Sequence, residues 1–342
     1  MNMGKFLFIT KGAYIKAYYA IAKRIPRIVH YANPPLLSVA LELTNNCNLR
    51  CKICHTQNPK RFQARERGFM SWELFAKCAD ELGRLGYEMN VCLNFDGESL
   101  LHPKFVEMLR YLHSKNNLRL HFSTNGTLLT KDIENELIRY GVDTAVSLDG
   151  IESKHEAIRI NSKYEKVKDN ILNFVQLRAE YCRPKINVTL VDSEHTTSDI
   201  NDFVKYWVNK IDAVYVHPFM TEDLKFRDNP SFFNMPTRRK AFCKWVFTYM
   251  AILWNGDVAN CCHLSNKMNI MGNVNKNSIM EIWKGETFKK FREASLRNKF
   301  PEESICSLCE LWKTEFVPFS TVVGDFEVKY AGYGKEYKAI CT

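Results

Sequence analysis

The sequence lacks any apolar run near the roughly 18 residues that a membrane span needs; the longest, from Val246 to Trp254, is interrupted by Thr248. A spanning helix is excluded. The chain also lacks an N-terminal apolar stretch followed by a small-residue cleavage site. Phe6 to Ile9 lies between Lys5 and Lys11 and stops there, so no secretory signal is read and the cytoplasm is the expected location. No block of like charge is present: 48 Lys and Arg against 38 Asp and Glu leave a net +10, dispersed from Lys5 to Lys338. Such a balance permits an anionic partner without demanding one, and with no interleaved basic and aromatic stripe a nucleic-acid partner is not expected. Internal repeats and low-complexity tracts are absent. With 46% hydrophobic and 25% charged residues, disorder, collagen and coiled coil are set aside. Twelve cysteines among 342 residues are too sparse for a disulfide scaffold, so their spacing becomes informative.

What is present is an alternation. β-rich runs at Ser38 to Leu43, Met89 to Asn94, Leu118 to Ser123, Asp143 to Leu148, Lys185 to Val191 and Ala213 to His217 are separated by helical periodicities. Ser71 caps a face of Trp72, Phe75, Cys78, Ala79, Leu82 and Leu85. Pro103 opens a helix bearing Phe105, Val106, Leu109 and Leu112. Thr130 caps a third, ended by Gly141; Tyr164, Val167, Ile171, Phe174 and Val175 stripe a fourth; Ser198 caps a fifth, with Ile200, Phe203, Val204 and Trp207. Six strands and five intervening helices predict an α/β fold, a partial (β/α)6 TIM-like barrel over residues 38–220, with functional groups at the strands' C-terminal ends. Residues 221–242, with Pro230 and Pro236, read as a linker. A small C-terminal α+β extension then spans 243–315, with strands at Trp245 to Leu253 and Val258 to Cys261 turned by Asn255-Gly256-Asp257, and a helix from Ile279 to Leu296. Residues 316–342 give no clear pattern and read as a tail. The basic and aromatic residues 1–37 read as a segment packed on the barrel, and a peripheral membrane contact is the alternative.

Directly after the first strand comes Cys47-x3-Cys51-x2-Cys54. Three thiolates in one loop can converge on a soft metal centre. A structural zinc or a saturated iron–sulfur cluster takes four protein ligands, whereas three leave a metal position open for substrate or cofactor. The bland alternatives are three buried structural cysteines or a zinc site completed by His55.

This array resembles the hallmark of the radical SAM superfamily. By that resemblance Cys47, Cys51 and Cys54 hold a [4Fe–4S] cluster whose fourth iron chelates S-adenosylmethionine, and reductive cleavage yields methionine and a 5′-deoxyadenosyl radical. Supporting segments follow successive strands. Asp96-Gly97-Glu98-Ser99 is similar to the family's G-G-E-P, with Asp96 and Ser99 as departures, and implies that Gly97 and Glu98 meet the cofactor's ammonium. Ser123-Thr124-Asn125-Gly126 resembles T-N-G, and Ser147-Leu148-Asp149-Gly150 resembles S-L-D-G, implying cofactor contacts at Ser123, Asn125 and Ser147. Arg159 is read as a contact to a carboxylate of cofactor or substrate. Ile53 stands where the family usually places an aromatic residue.

A second set, Cys243-x12-Gly256-x4-Cys261 and later Cys306-x2-Cys309, offers four thiolates, and from chemistry alone zinc or iron–sulfur would serve. Its spacing is similar to the SPASM or shorter twitch extension. With no cysteine from Glu310 to Thr321, the resemblance implies one auxiliary [4Fe–4S] cluster on Cys243, Cys261, Cys306 and Cys309, with adjacent Cys262 the alternative to Cys261. Cys78, Cys92 and Cys182 read as lone small hydrophobes, and Cys341 as a tail thiol.

A saturated auxiliary cluster suits one-electron transfer. The expected reaction is therefore hydrogen abstraction from a small polar, sugar- or aminocyclitol-like substrate followed by net oxidation, as in the family's aminocyclitol dehydrogenases. An external reductant such as flavodoxin or ferredoxin is expected as partner. The alternatives are a peptide maturase, whose leader-binding domain is often placed ahead of the barrel whereas 46 residues precede Cys47, and an epimerase needing a hydrogen donor. A non-catalytic iron–sulfur or zinc protein is the alternative class. Candidate proton acceptors are Asp149, His217 and His263.

Overall fold

The computed structural model describes residues 34–54, 56, 65–179, 181, 183–219, 237–239, 242–262, 268–311, 314–316, 319–323, 326–331 and 334–339. Its first part runs β1 (Ser38–Leu41), β2 (Arg50–Cys51), α1 (Trp72–Arg84), β3 (Met89–Cys92), α2 (Phe105–His113), β4 (Leu118–Thr124) and α3 (Lys131–Arg139). It continues through β5 (Asp143–Ser147), α4 (Ser153–Ile158), β6 (Arg159–Ile160), α5 (Tyr164–Arg178), β7 (Ile186–Asp192), α6 (Ile200–Trp207) and β8 (Ala213–Pro218). All six expected strands are there. β1, β3, β4, β5, β7 and β8 pair in parallel with their chain neighbours, the order a partial barrel requires.

Local chemistry explains the helices. Ser71 Oγ accepts from Leu74 N at 3.2 Å and starts α1, which buries Leu74, Phe75, Cys78, Ala79 and Leu82. Thr130 does the same for Ile133 N ahead of α3, which closes with Gly141 N to Ile138 O and Val142 N to Leu137 O, a Schellman pair. Two starts differ from expectation. Pro103 lies ahead of α2, which opens after Lys104. Ser198 falls in a short 3-10 turn, Thr197–Asp199, and its hydroxyl binds Asp199 rather than capping α6.

The second part adds β9 (Thr237–Arg239), within the segment read as a linker, then β10 (Tyr249–Ile252), β11 (Asp257–Ala259) and β12 (Ile270–Asn273). The predicted long helix is two, α7 (Ile279–Lys284) and α8 (Glu286–Leu296), broken where Gly285 takes an extended ψ of 164°. After α9 (Ile305–Leu308) come β13 (Thr314–Phe316), which pairs with β9, and an antiparallel meander of β14 (Phe319–Val323), β15 (Phe326–Ala331) and β16 (Gly334–Ala339).

Both additions extend the barrel sheet. β10 pairs in parallel with β1, carrying β11 and β12 beyond it, while β16 pairs antiparallel with β8 at the opposite edge. The described residues of the stretch read as a tail are therefore sheet. Trp283 Nε1 donates to Pro34 O at 2.6 Å, and Ile279 N donates to Glu81 Oε2 at 2.6 Å, docking α7 against β1's entry and α1.

The two faces of the sheet differ. Val39, Val91, Phe122, Val146, Val188, Val214 and Val216 pack with the helices into the main core. Because successive strand residues alternate, their neighbours Ala40, Cys92, Ser123, Ser147, Thr189, Tyr215 and His217 stand on the other, lumen face. That lining is largely polar and, Tyr215 and His217 apart, small.

Candidate active site and cysteine clusters

The first cysteine loop is held from two sides. β2 pairs antiparallel with β6, setting Cys51 opposite Arg159, and Lys52 N donates to Ile158 O at 2.9 Å. On the other side, Asn48 Nδ2 donates to Thr127 Oγ1 at 2.8 Å and Asn125 Nδ2 to Asn48 Oδ1 at 2.8 Å. Cys47 Sγ accepts from Leu49 N, and Cys54 Sγ lies 3.0 Å from Thr56 Oγ1. Burial pushes the Cys51 thiol up to about 11 and raises Cys47, while the Arg159 cation pulls both down and the neighbouring thiols push them up. The three sulfurs are thus within range of one another's charge. Ligating a metal must release their protons. Among the described residues no three His, Cys, Asp or Glu side chains close on a single ion.

The Asp96–Ser99 segment meets this loop through backbone. Gly97 has φ +77°, and a Cβ there would stand 2.5 Å from Asn46 O and 2.6 Å from Thr44 O, so only glycine fits. Glu98 N donates to Asn46 O at 2.7 Å. The Glu98 carboxylate, expected to meet the cofactor's ammonium, accepts within the protein from Thr124 Oγ1 at 2.9 Å, Asn125 N at 2.7 Å and Leu100 N at 3.2 Å. Burial raises its pKa and these donors oppose the rise. It braces Thr124 and Asn125 under the cysteine loop.

Asp96, the departure from the glycine of the family motif, has its own partner. Arg65 grips Glu42 with both terminal nitrogens, at 2.9 and 2.5 Å, and reaches Asp96 Oδ2 at 2.6 Å; Trp254 N also donates to Glu42 at 3.2 Å. This fully buried carboxylate joins β1, the segment after the cysteines and the extension's turn. Glu42 and Arg65 were not singled out in the sequence, where a lone acid ending a strand carries no pattern.

Asp149 is expected as a proton acceptor, but it is fully buried and both oxygens are engaged: Arg159 Nε and Nη2 reach Oδ2 at 2.7 Å, and Val191 N donates to Oδ1 at 2.8 Å. It is the counter-ion of Arg159, which in turn feels the Cys51 and Cys54 charges. His155, behind it, lies 3.4 Å from Asp149 N and 2.8 Å from Ser162 Oγ; burial first and Arg159 second depress its pKa to about 3, so it is neutral. Ser123 and Ser147 stand on the lumen face, Ser123 N bound to Asn94 Oδ1 at 2.8 Å and Ser147 Oγ to Thr189 Oγ1 at 3.4 Å. His217 also faces the lumen, stacked on Tyr215 at 6.2 Å and 11°. His263 lies outside the described residues.

In the extension, Cys243 is raised by burial and by the charges of Cys261, Cys306 and Cys309, and burial pushes Cys306 up to about 11, with Cys261 acting on it too. Cys243, Cys306 and Cys309 share a small cluster with Phe300 and Ile305. Cys262 packs elsewhere, with Cys92, Ala40 and Tyr249 on the lumen side.

Comparison with known proteins agrees with these motifs. The family described as the radical SAM superfamily matches residues 41–206, and the iron–sulfur cluster-binding SPASM domain matches residues 243–310. The chain is 26% identical over 321 residues, 80% of its length and 89% of the relative's, to the tungsten-containing aldehyde ferredoxin oxidoreductase cofactor-modifying protein of Pyrococcus furiosus. Its fold is similar to that of BtrN in complex with AdoMet and 2-DOIA, with TM-score 0.54 and 18% identity over 77% of this chain and 88% of that one. It is similar also to anSMEcpe with bound AdoMet, with TM-score 0.61 and 16% identity over 81% and 87%. Among the described residues no helix is long and apolar enough to cross a membrane.

Proposed function

The chain belongs to the radical SAM superfamily and carries a SPASM domain, so its cofactors are S-adenosylmethionine, a [4Fe–4S] cluster and auxiliary iron–sulfur chemistry; from that premise we propose that it oxidises a small polar, polyhydroxylated molecule. In this reading Cys47, Cys51 and Cys54 hold the first cluster, and Cys243, Cys261, Cys306 and Cys309 hold one auxiliary cluster. Two features support this reading: one loop carries three thiols, with Cys51 paired to Arg159, and Cys243, Cys306 and Cys309 share one small cluster in the extension. Cys261 is preferred over Cys262 because its charge acts on Cys243 and Cys306, whereas Cys262 packs against the separate cluster of Ala40, Tyr249, Ala251 and Ala259.

Bound there, the reduced cluster and S-adenosylmethionine supply a 5′-deoxyadenosyl radical for hydrogen abstraction. The chain's own part is positional. Gly97 lets backbone approach the cysteine loop, and Glu98 fixes Thr124 and Asn125 beneath it. Asp149 holds Arg159 toward the thiols, where a cation suits an anionic cluster or the cofactor's carboxylate. His217, on the lumen wall, is the proton acceptor we favour for the substrate hydroxyl.

The observation that carries the oxidation reading is the four-cysteine set. Full protein ligation leaves no open metal position for substrate, which suits electron acceptance. The Pyrococcus relative is described as modifying a cofactor, which supports a small molecule over a polypeptide. An external one-electron reductant, flavodoxin or ferredoxin, is the partner this chemistry needs. The test is deuterium transfer from ring-deuterated cyclitols and aminosugars into 5′-deoxyadenosine. Label arriving with formation of a ketone supports the reading; label arriving only from peptides contradicts it.

A further inference from the structure

We propose that the C-terminal strand β16 belongs to the substrate site and that Glu336, hydrogen-bonded to Tyr215, selects for a polyhydroxylated ring. The proposal rests on the oxidation of a small polar substrate argued above, and names the side chains that would recognise it.

Four residues form one row across four adjacent strands. Ser147 is in register with Thr189, Thr189 with Tyr215, and Tyr215 with Glu336. Val146, Val188 and Val214 pack with the helices, as does Tyr337. Strand alternation therefore puts the whole row on the lumen face. The row is linked within itself: Thr189 Oγ1 donates to Ser147 Oγ at 3.4 Å and Tyr215 OH to Glu336 Oε1 at 2.7 Å. Lys338 Nζ stands 3.0 Å from the same carboxylate. His217 stacks on Tyr215 one step further along, and Gly334 makes room for it. A Cβ at position 334 would lie 2.8 Å from Val216 O and 3.1 Å from His217 Nδ1. At its other end the row starts at Ser147, which leads into the Asp149 loop that holds Arg159 beside the cysteines.

The chemistry of this wall is specific. Hydroxyls of Ser147, Thr189 and Tyr215 both donate and accept, and a carboxylate accepts only, so a ligand rich in hydroxyl groups satisfies them all. An apolar ligand would desolvate the hydrogen-bonding positions that the row's internal bonds leave over, which a polar site rejects strongly. The location also fits a selector. Residues 319–339 lie beyond both matched domains, which end at 206 and 310, so Glu336 is brought to the chamber by a part of the chain outside the shared machinery.

The test uses the full chain, reconstituted without oxygen, titrated calorimetrically with myo-inositol and with cyclohexanol, rings that differ in their number of hydroxyls. The expected result is binding of myo-inositol in preference to cyclohexanol. Glu336→Gln should weaken it at least tenfold, the size expected for losing a hydrogen bond to a charged group, and Glu336→Asp should restore most of it. Tyr215→Phe, which deletes only a hydroxyl, should weaken it too and decides the matter if Glu336→Gln does not fold. Unchanged inositol affinity in the Gln or Phe variant overturns the proposal, as does wild-type protein that shows no preference for myo-inositol. 5′-Deoxyadenosine formation by the same wild-type preparation with dithionite reports separately on the reaction class. Its loss removes that class, whereas its presence without an inositol preference removes only the role of Glu336.

Discussion

Arg159 stands 2.7 Å from Asp149 through two nitrogens while its backbone pairs with Cys51, so one buried ion pair fixes the cation beside the first cysteine loop. Breaking such a pair strands a buried charge, at a cost of about 3–5 kcal/mol. Asp149→Asn should therefore shift the denaturant midpoint of unfolding markedly downward and reduce iron incorporation into the first site. A midpoint and iron content equal to wild type would show that Arg159 needs no counter-ion there.

Cysteine variants should separate the two clusters. Cys47→Ala, Cys51→Ala or Cys54→Ala is expected to lose about half of the iron and all 5′-deoxyadenosine formation. Cys243→Ala or Cys309→Ala should also lose about half of the iron yet still cleave S-adenosylmethionine. Cys262→Ala should keep the full complement, since that thiol packs against the cluster of Ala40, Tyr249, Ala251 and Ala259. Iron and sulfide assays with electron paramagnetic resonance check each. Loss of iron from Cys262→Ala with retention in Cys261→Ala would reverse the assignment.

Gly97→Ala places a methyl against two carbonyl oxygens, at 2.5 and 2.6 Å, in a left-handed backbone at φ +77°. Strain of this kind should cost upwards of about 2 kcal/mol and spread the loop that carries Cys47. Lower thermal stability with a weakened visible iron–sulfur band is the expected pair of readings. An unchanged melting temperature would be inconsistent with the close approach described.

His155 gives a pH signature. Its native pKa, about 3, is depressed below the unfolded value of about 6.5. The unfolded chain therefore takes up the proton first as pH falls, so the stability present above pH 6.5 drains between 6.5 and 3. From pH 7 to pH 5 this group alone should remove about 2 kcal/mol. His155→Gln should flatten that slope, measured by urea unfolding at each pH. An equal slope in the variant would place the sensitivity elsewhere.

The barrel was legible in the sequence because each of its strands is a β-rich run beside an amphipathic helix, and strands paired with chain neighbours need no long-range information. The cysteine spacing and Gly97 were legible for the same local reason. The meander of β14, β15 and β16 was missed although Phe326-Glu327-Val328-Lys329-Tyr330 alternates as a strand does; what the local pattern could not supply is its partner strand, β8, more than a hundred residues earlier. The protein partners of Asp149 and Glu98 were not legible, because a carboxylate after a strand looks alike in sequence whether or not the fold brings Arg159 and the amides of Val191 and Asn125 to it. Arg65 was invisible, since only the fold brings it to Glu42 and Asp96.

The central claim is that three thiols, Cys47, Cys51 and Cys54, leave one iron of a cluster open to S-adenosylmethionine. It is tested most directly by incubating anaerobically reconstituted protein with S-adenosylmethionine and dithionite and quantifying 5′-deoxyadenosine, for the wild type and for the variant with all three cysteines replaced by alanine. The account predicts steady formation by the wild type and none by the variant. Wild-type protein that holds its iron yet forms no 5′-deoxyadenosine, or a variant that forms as much as the wild type, would contradict it.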